Sequence, residues 1–183
     1  MKIVLAITGA SGSIYARRLM DYLAAAYCVD KISVVFSSNA IEIYKQETDS
    51  TLSAGGKVDI WDSHDFNAPF ASGSCDYDAM VICPCSMGTL GRVASGISDS
   101  LITRASDVML KERRPLIMVL RETPYSLVHI RNMETVTLAG GIICPANPSF
   151  YSNPKDINQL VDTVVFRILD LLKLPNNGFR WGK

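Results

Sequence analysis

The chain has 183 residues, 48% of them hydrophobic and 20% charged, and its 18 basic side chains balance 18 acidic ones. That length supports one domain with a sizeable core, and the charge balance gives no electrostatic footprint for nucleic acid or an anionic membrane. No apolar run is long enough to span a membrane, and the opening run Ile3–Ile7 is too short for a signal-peptide core. At least three of the five cysteines lie in or beside apolar runs, which suits reduced, packed thiols in the cytoplasm.

Lys2–Thr8 reads as a buried strand, followed by Gly9-Ala10-Ser11-Gly12-Ser13 and a helix over Ile14–Ala26. A glycine turn leading into a helix N-terminus leaves backbone N–H groups free and suits an anion. The same turn reads equally as a tight connection capped by Ser11 or Ser13, and it lacks the spacing of a dinucleotide fingerprint. Ile32–Phe36 is the second strand, after which Ser37-Ser38-Asn39 caps a helix to about Gln46. Glu47-Thr48-Asp49 closes that helix, where the acidic side chain of Glu47 opposes the dipole. It is either a solvated charge or one that another part of the fold uses. Val58–Trp61 forms a short strand, and residues 64–77 form an ordered loop with apolar anchors.

The stretch Asp78–Pro124 organises the rest. An apolar run, Ala79–Cys83, ends at Pro84 and is followed by Ser86, Gly88 and Thr89, two helical segments, and a second run, Leu116–Leu120, ending at Arg121-Glu122. Such alternation is the sequence form of parallel strands buried on both faces, and ligands collect beyond the carboxyl ends of those strands. Lys111-Glu112-Arg113-Arg114 reads as a solvated charge run at a helix C-terminus. Tyr125–Ala139 is a helix stopped by Gly140-Gly141, and Ile142–Cys144 is the last strand. Asp156–Leu172 is an amphipathic helix with Ile157, Leu160, Val161, Val164, Val165, Ile168 and Leu172 at helical spacing. Arg167 sits at the edge of that stripe, where a snorkelling side chain is an ordinary occupant. Trp181 in the tail is consistent with a partner-subunit contact or with a cover over a ligand. The pattern predicts a three-layer, doubly wound α/β fold of the Rossmann or flavodoxin-like kind, a single domain with a largely parallel sheet of about six strands.

Two common enzyme constellations are missing. His64 and His129 have no metal-ligand spacing, and Cys83-x-Cys85 lacks a second pair, which disfavours a zinc site. No nucleophile elbow accompanies a Ser/His/Asp set. The motifs that remain are TGASG (Thr8–Gly12), ETD (Glu47–Asp49), ASGS (Ala71–Ser74), CPCSMGTL (Cys83–Leu90), RASDVMLKERRPL (Arg104–Leu116), RETP (Arg121–Pro124), FY-x-x-P (Phe150–Pro154) and RWG at the end. In this order and spacing they resemble a flavin prenyltransferase of the UbiX type over nearly the whole chain.

The resemblance implies a metal-independent transfer of a dimethylallyl group from dimethylallyl monophosphate to reduced FMN. The product, prenylated FMN, would serve a UbiD-type decarboxylase. It also implies that Gly9, Ala10, Ser11, Ser37, Ser86, Met87, Gly88, Thr89 and Arg121 hold FMN. Tyr151 and Arg167 would hold the prenyl phosphate, with Lys111 and Glu122 nearby. Glu47 and Ser11 would lie close to the reacting flavin atoms, and Trp181 would offer an aromatic face to an allylic cation. Relatives form dodecameric homo-oligomers with shared sites, which marks loop 66–74 and the Trp181 tail as the shared parts. The sequence departs from the family at Asn39, where relatives carry Lys-Ala, and in the short segment between Asp49 and Trp61. Other readings are an FMN-dependent decarboxylase of the cysteine-decarboxylase superfamily, faintly matched by Cys144-Pro145-Ala146-Asn147, and a non-catalytic FMN carrier.

Overall fold

Runs of aliphatic residues too short for helices become six strands, and every pairing among them is parallel. The computed structural model describes residues 1–182. Its strands are β1 (Lys2–Ile7), β2 (Lys31–Phe36), β3 (Val58–Trp61), β4 (Ala79–Cys85), β5 (Leu116–Leu120) and β6 (Ile142–Ile143). They lie in the order β3-β2-β1-β4-β5-β6, so the direction of winding reverses between β1 and β4. The helices are α1 (Ser13–Ala25), α2 (Ala40–Thr48), α3 (Met87–Ala94), α4 (Leu101–Lys111), α5 (Leu127–Leu138) and α6 (Ile157–Leu171). The doubly wound fold expected from the sequence is present.

Side chains on a strand alternate between faces, and the core divides accordingly. Ile3, Leu5 and Ile7 pack with Leu19 and Leu23 of α1 and Val164 and Ile168 of α6. Val4 and Ala6 face Leu90 of α3 and Leu101 and Met109 of α4. Each such aliphatic side chain contributes about 1.5–3 kcal/mol by leaving water. Loop 64–77 is anchored by Phe70 alone of its two phenylalanines, edge-on to Trp61 and Tyr77, while Phe66 is exposed.

α6 differs from its expected stripe in two places. Ile157 is exposed in the first turn, and Leu169 is buried. Asp162 is also buried, at 7% exposure, because Arg18 of α1 donates to it at 2.8 and 2.6 Å and the Tyr22 hydroxyl at 2.9 Å. Tyr22 then meets Phe166 edge-on at 5.1 Å. A polar clamp thus joins the first helix to the last.

β4 runs two residues past the expected last residue, Cys83, and so through Pro84 to Cys85. Proline has no N–H for the ladder, and the register with β5 shifts between Ile82 and Cys85. The freed carbonyl is put to use: Pro84 O accepts from the Thr8 N–H at 3.2 Å and the Thr8 hydroxyl at 2.8 Å. The Ser86 N–H donates in turn to Thr8 Oγ1 at 2.8 Å. The ends of β1 and β4 are therefore tied together where the winding reverses. All five cysteines are free thiols, and among the described residues no helix is long and apolar enough to cross a membrane.

Candidate functional site

In open parallel sheets the crevice between oppositely wound halves lies outside the carboxyl ends of the strands, at the reversal point. A cleft of about 370 Å³ opens there. Gly9, Ser37, Ser86 and Thr89, all expected from the sequence, line it. So do Ser63, His64, Arg92, Asp99 and Ser100, which the sequence reading missed because each stands alone among ordinary polar residues. Ser86 caps α3 by accepting the Thr89 N–H at 3.3 Å. Asn39 heads α2, but its side chain makes no cap bond, and the Ala40 N–H goes to the Ser37 carbonyl. Among the described residues the Ser37 and Ser38 hydroxyls form no hydrogen bond, so both are free to face a ligand. Met87 and Ala10 are buried, so backbone is what they offer.

The glycine turn is capped differently from expectation. Gly12 has φ 114°, a left-handed conformation that glycine adopts without strain. Neither Ser11 nor Ser13 caps α1 with its side chain. Instead Glu47, arriving from the end of α2, accepts the Gly12 N–H at 2.8 Å and the Ser13 N–H at 2.7 Å on one oxygen. The cost of an acid at the end of its own helix is offset by the positive end of another. Partial burial works to raise the Glu47 pKa. Hydrogen bonds from the Ser11 hydroxyl and from the Gly12 and Ser13 backbone outweigh it and hold the carboxyl below its ordinary value. Glu47 is thus an exposed carboxylate that is nonetheless oriented by the turn it caps. Arg121, at the end of β5, donates to the Ser11 carbonyl at 3.1 Å. Glu122 accepts the N–H of the next residue, Thr123, at 2.9 Å.

The residues expected to hold a prenyl phosphate lie elsewhere. Arg167 lines a second cleft, of about 380 Å³, with Ser149, Ser152, Phe166 and Phe179. The segment carrying Tyr151 and the tail carrying Trp181 converge there, and the two rings meet edge-on at 5.1 Å while staying exposed. The tail is fixed by Arg180, which donates to Asp170 at 2.7 and 3.0 Å. Burial pushes the nearby Cys144 thiol up, an effect the Arg167 charge partly offsets.

Lys111 is not brought to either cleft. A helix between parallel strands runs back against them, so α4 ends near the start of β5, at the opposite end of the sheet from the glycine turn. There Lys111 pairs with Glu112 at 2.9 Å, against Gly73. Arg114 donates to the Gly73 carbonyl at 3.0 Å, so the charge run and the ASGS loop form one patch rather than a purely solvated face.

A parallel sheet with a hydroxyl-lined cleft and a glycine turn at its reversal point defines a ligand-binding doubly wound α/β protein, and the family model described as Flavoprotein, which matches residues 1–169, makes it a flavoprotein. Flavin prenyltransferase UbiX of Methanocaldococcus jannaschii is 43% identical over all of this chain and 99% of its own length. A UbiX protein solved in complex with FMN and dimethylallyl pyrophosphate superposes with a TM-score of 0.88, at 41% identity and 98% coverage of both chains. A dodecameric FMN-dependent UbiX-like decarboxylase from Escherichia coli O157:H7 gives a TM-score of 0.94 at 34% identity, with all of both chains covered. The chain belongs to the UbiX flavin prenyltransferase family.

Proposed function

We propose that this chain joins a dimethylallyl group from dimethylallyl monophosphate to reduced FMN, and that the prenylated FMN passes to a UbiD-type decarboxylase. The observation that carries this reading is the Glu47 carboxylate, held by the Gly12 and Ser13 N–H groups of the same glycine turn whose Gly9 lines the hydroxyl-rich cleft. The residues present fit FMN. Two unengaged serine hydroxyls and an α2 start without a side-chain cap suit a phosphate and a polyol chain. At Gly9 a Cβ would come within 3.3 Å of Asn39 Cβ, so glycine lets the turn approach the start of α2 closely on that side of the cleft.

On this reading Gly9, Ala10, Ser11, Ser37, Ser86, Met87, Gly88, Thr89 and Arg121 hold FMN. Reduced FMN supplies the nucleophilic ring atoms when bound. Glu47 accepts and returns a proton, with the Ser11 hydroxyl beside it and Glu122 as a further carboxylate. Arg167 donates two hydrogen bonds to the donor's phosphate and Tyr151 one, stabilising the charge that develops as the phosphate leaves. Guanidinium groups do this without a metal. The faces of Trp181 and Tyr151 stabilise positive charge on the allylic carbon. Because the flavin residues, the Tyr151–Arg167 group and Lys111 are separated within one chain, the complete site is assembled between copies in a homo-oligomer, a dodecamer as in the Escherichia coli relative. Five free thiols and the absence of a membrane-spanning helix among the described residues fit a cytoplasmic setting.

Anaerobic incubation with reduced FMN and dimethylallyl monophosphate, followed by mass analysis of the extracted flavin, tests the proposal. A flavin heavier by one prenyl unit is expected. Recovery of unmodified FMN with the donor intact would leave a carrier. Release of carbon dioxide from a peptide ending in cysteine would instead favour the decarboxylase.

A further inference from the structure

We infer that Arg92 is the residue by which this chain distinguishes FMN from a flavin without phosphate, and that Asp99 holds Arg92 in reserve until a phosphate takes it over. The inference rests on the reading of the first cleft as the FMN site. Among the described residues lining that cleft, Arg92 carries the only guanidinium or ammonium group, in a wall that also holds the His64 imidazole and the Asp99 carboxylate but is mostly hydroxyls, an amide and backbone. Helical side chains lean toward the N-terminus of their helix. Arg92 follows that rule, donating to the Gly88 carbonyl one turn back at 3.2 Å. Its charged end therefore lies toward the start of α3, beside Ser86 and Thr89.

Across the α3–α4 connection Arg92 Nε stands 3.3 Å from Asp99, and both side chains are about half exposed, at 51% and 54%. An exposed pair of this kind contributes little and exchanges readily. A phosphate dianion offers a guanidinium two parallel hydrogen bonds and more charge than one carboxylate does. Asp99 does not lose every partner when Arg92 turns away, because the Thr103 hydroxyl donates to it at 3.3 Å. A free Asp99 carboxylate on the cleft wall also repels an approaching dianion. Arg92 sets the preference for phosphate, and Asp99 tempers it.

Titration of the full-length chain with FMN and with riboflavin, followed by flavin fluorescence, tests this. The wild-type chain is expected to prefer FMN. Arg92→Ala should weaken FMN binding on the order of 10- to 100-fold, the loss of one charge-assisted phosphate contact, and leave riboflavin unchanged. Asp99→Asn should tighten FMN several-fold and also leave riboflavin unchanged, a gain that a damaged fold cannot imitate. If the wild-type chain prefers FMN but Arg92→Ala weakens both flavins alike, or neither, the inference is overturned while the cofactor reading stands. Weaker FMN binding by Asp99→Asn would overturn it too. A wild-type chain that binds FMN no better than riboflavin would overturn the phosphate reading of the cleft itself.

Discussion

Glu47 lies in the last turn of α2 while its carboxylate receives the amides of Gly12 and Ser13 at the start of α1, and that geometry constrains its chemistry. A carboxylate held by two backbone N–H groups and kept below its ordinary pKa is ionised and aimed, as a proton acceptor must be. Glu47→Gln keeps the shape of the cap and removes the charge. We expect it to bind FMN nearly as well as the parent and to form product about a hundredfold or more slowly. Single-turnover kinetics check this, and an unchanged rate would leave Glu47 as a helix cap only. The pKa has a further consequence. Because the folded state holds Glu47 below its ordinary value, its stabilising effect is full above the ordinary carboxyl pKa and is lost as pH falls through the folded value. Stability of Glu47→Gln should therefore fall less steeply than that of the parent in acid, as denaturant midpoints across that range would record. The misfit between Glu47 and its own helix dipole was legible in the sequence. Its partner was not, because Gly12 lies 35 residues away and only the left-handed turn points that amide at α2.

At the scale of elements, α6 and the segment before it carry the proposed donor half. Arg167→Ala and Tyr151→Phe should leave FMN affinity nearly intact, with turnover on dimethylallyl monophosphate collapsing for the first and weakening for the second. Losing the Arg167 contact is expected to cost roughly 2–4 kcal/mol in the transition state, by analogy with removing one donor from a preorganised anion hole. Flavin titration beside steady-state turnover decides the matter, and equal loss of both ligands by either variant would break the division of the site. Element boundaries were largely legible: β5 falls on Leu116–Leu120 and α6 is capped by Asp156 at its expected start. β4 outran its expected end because Pro84 does not stop a strand whose carbonyl finds a partner in Thr8. Buried Asp162 escaped notice because polarity in a sequence does not announce a clamp whose other half lies 144 residues earlier. Arg92 and Asp99 escaped for a related reason, since their pairing exists only once α3 and α4 are folded against each other.

For the whole molecule, two clefts and a distant Lys111 would, on the proposed reading, make the single chain an incomplete site, a feature that strand order and helix direction set but no local motif reveals. α5 leaves Leu127, Val128, Ile130 and Leu138 exposed, an apolar face suited to burial against another copy. Twelve chains of 20.0 kDa would give a particle of about 240 kDa. Light scattering that finds a fully active monomer would end the shared-site reading. Co-refolding inactive Lys111→Ala with inactive Arg167→Ala should recover part of the turnover, because mixed particles contain some intact sites. The clamp between α1 and α6 bears on how the chain is made. Leu19 and Leu23 of α1 pack against residues of α6, so on the ribosome the apolar flank of the first helix stays uncovered until the last helix emerges. Long separations of this kind slow folding and prolong the exposure of sticky surface. A chain stopped after residue 155 should accumulate as aggregate even though all six strands are present, and supplying α6 as a separate peptide during refolding should rescue its solubility. On that expectation, synthesis of the final helix is the step that commits this polypeptide to its native state.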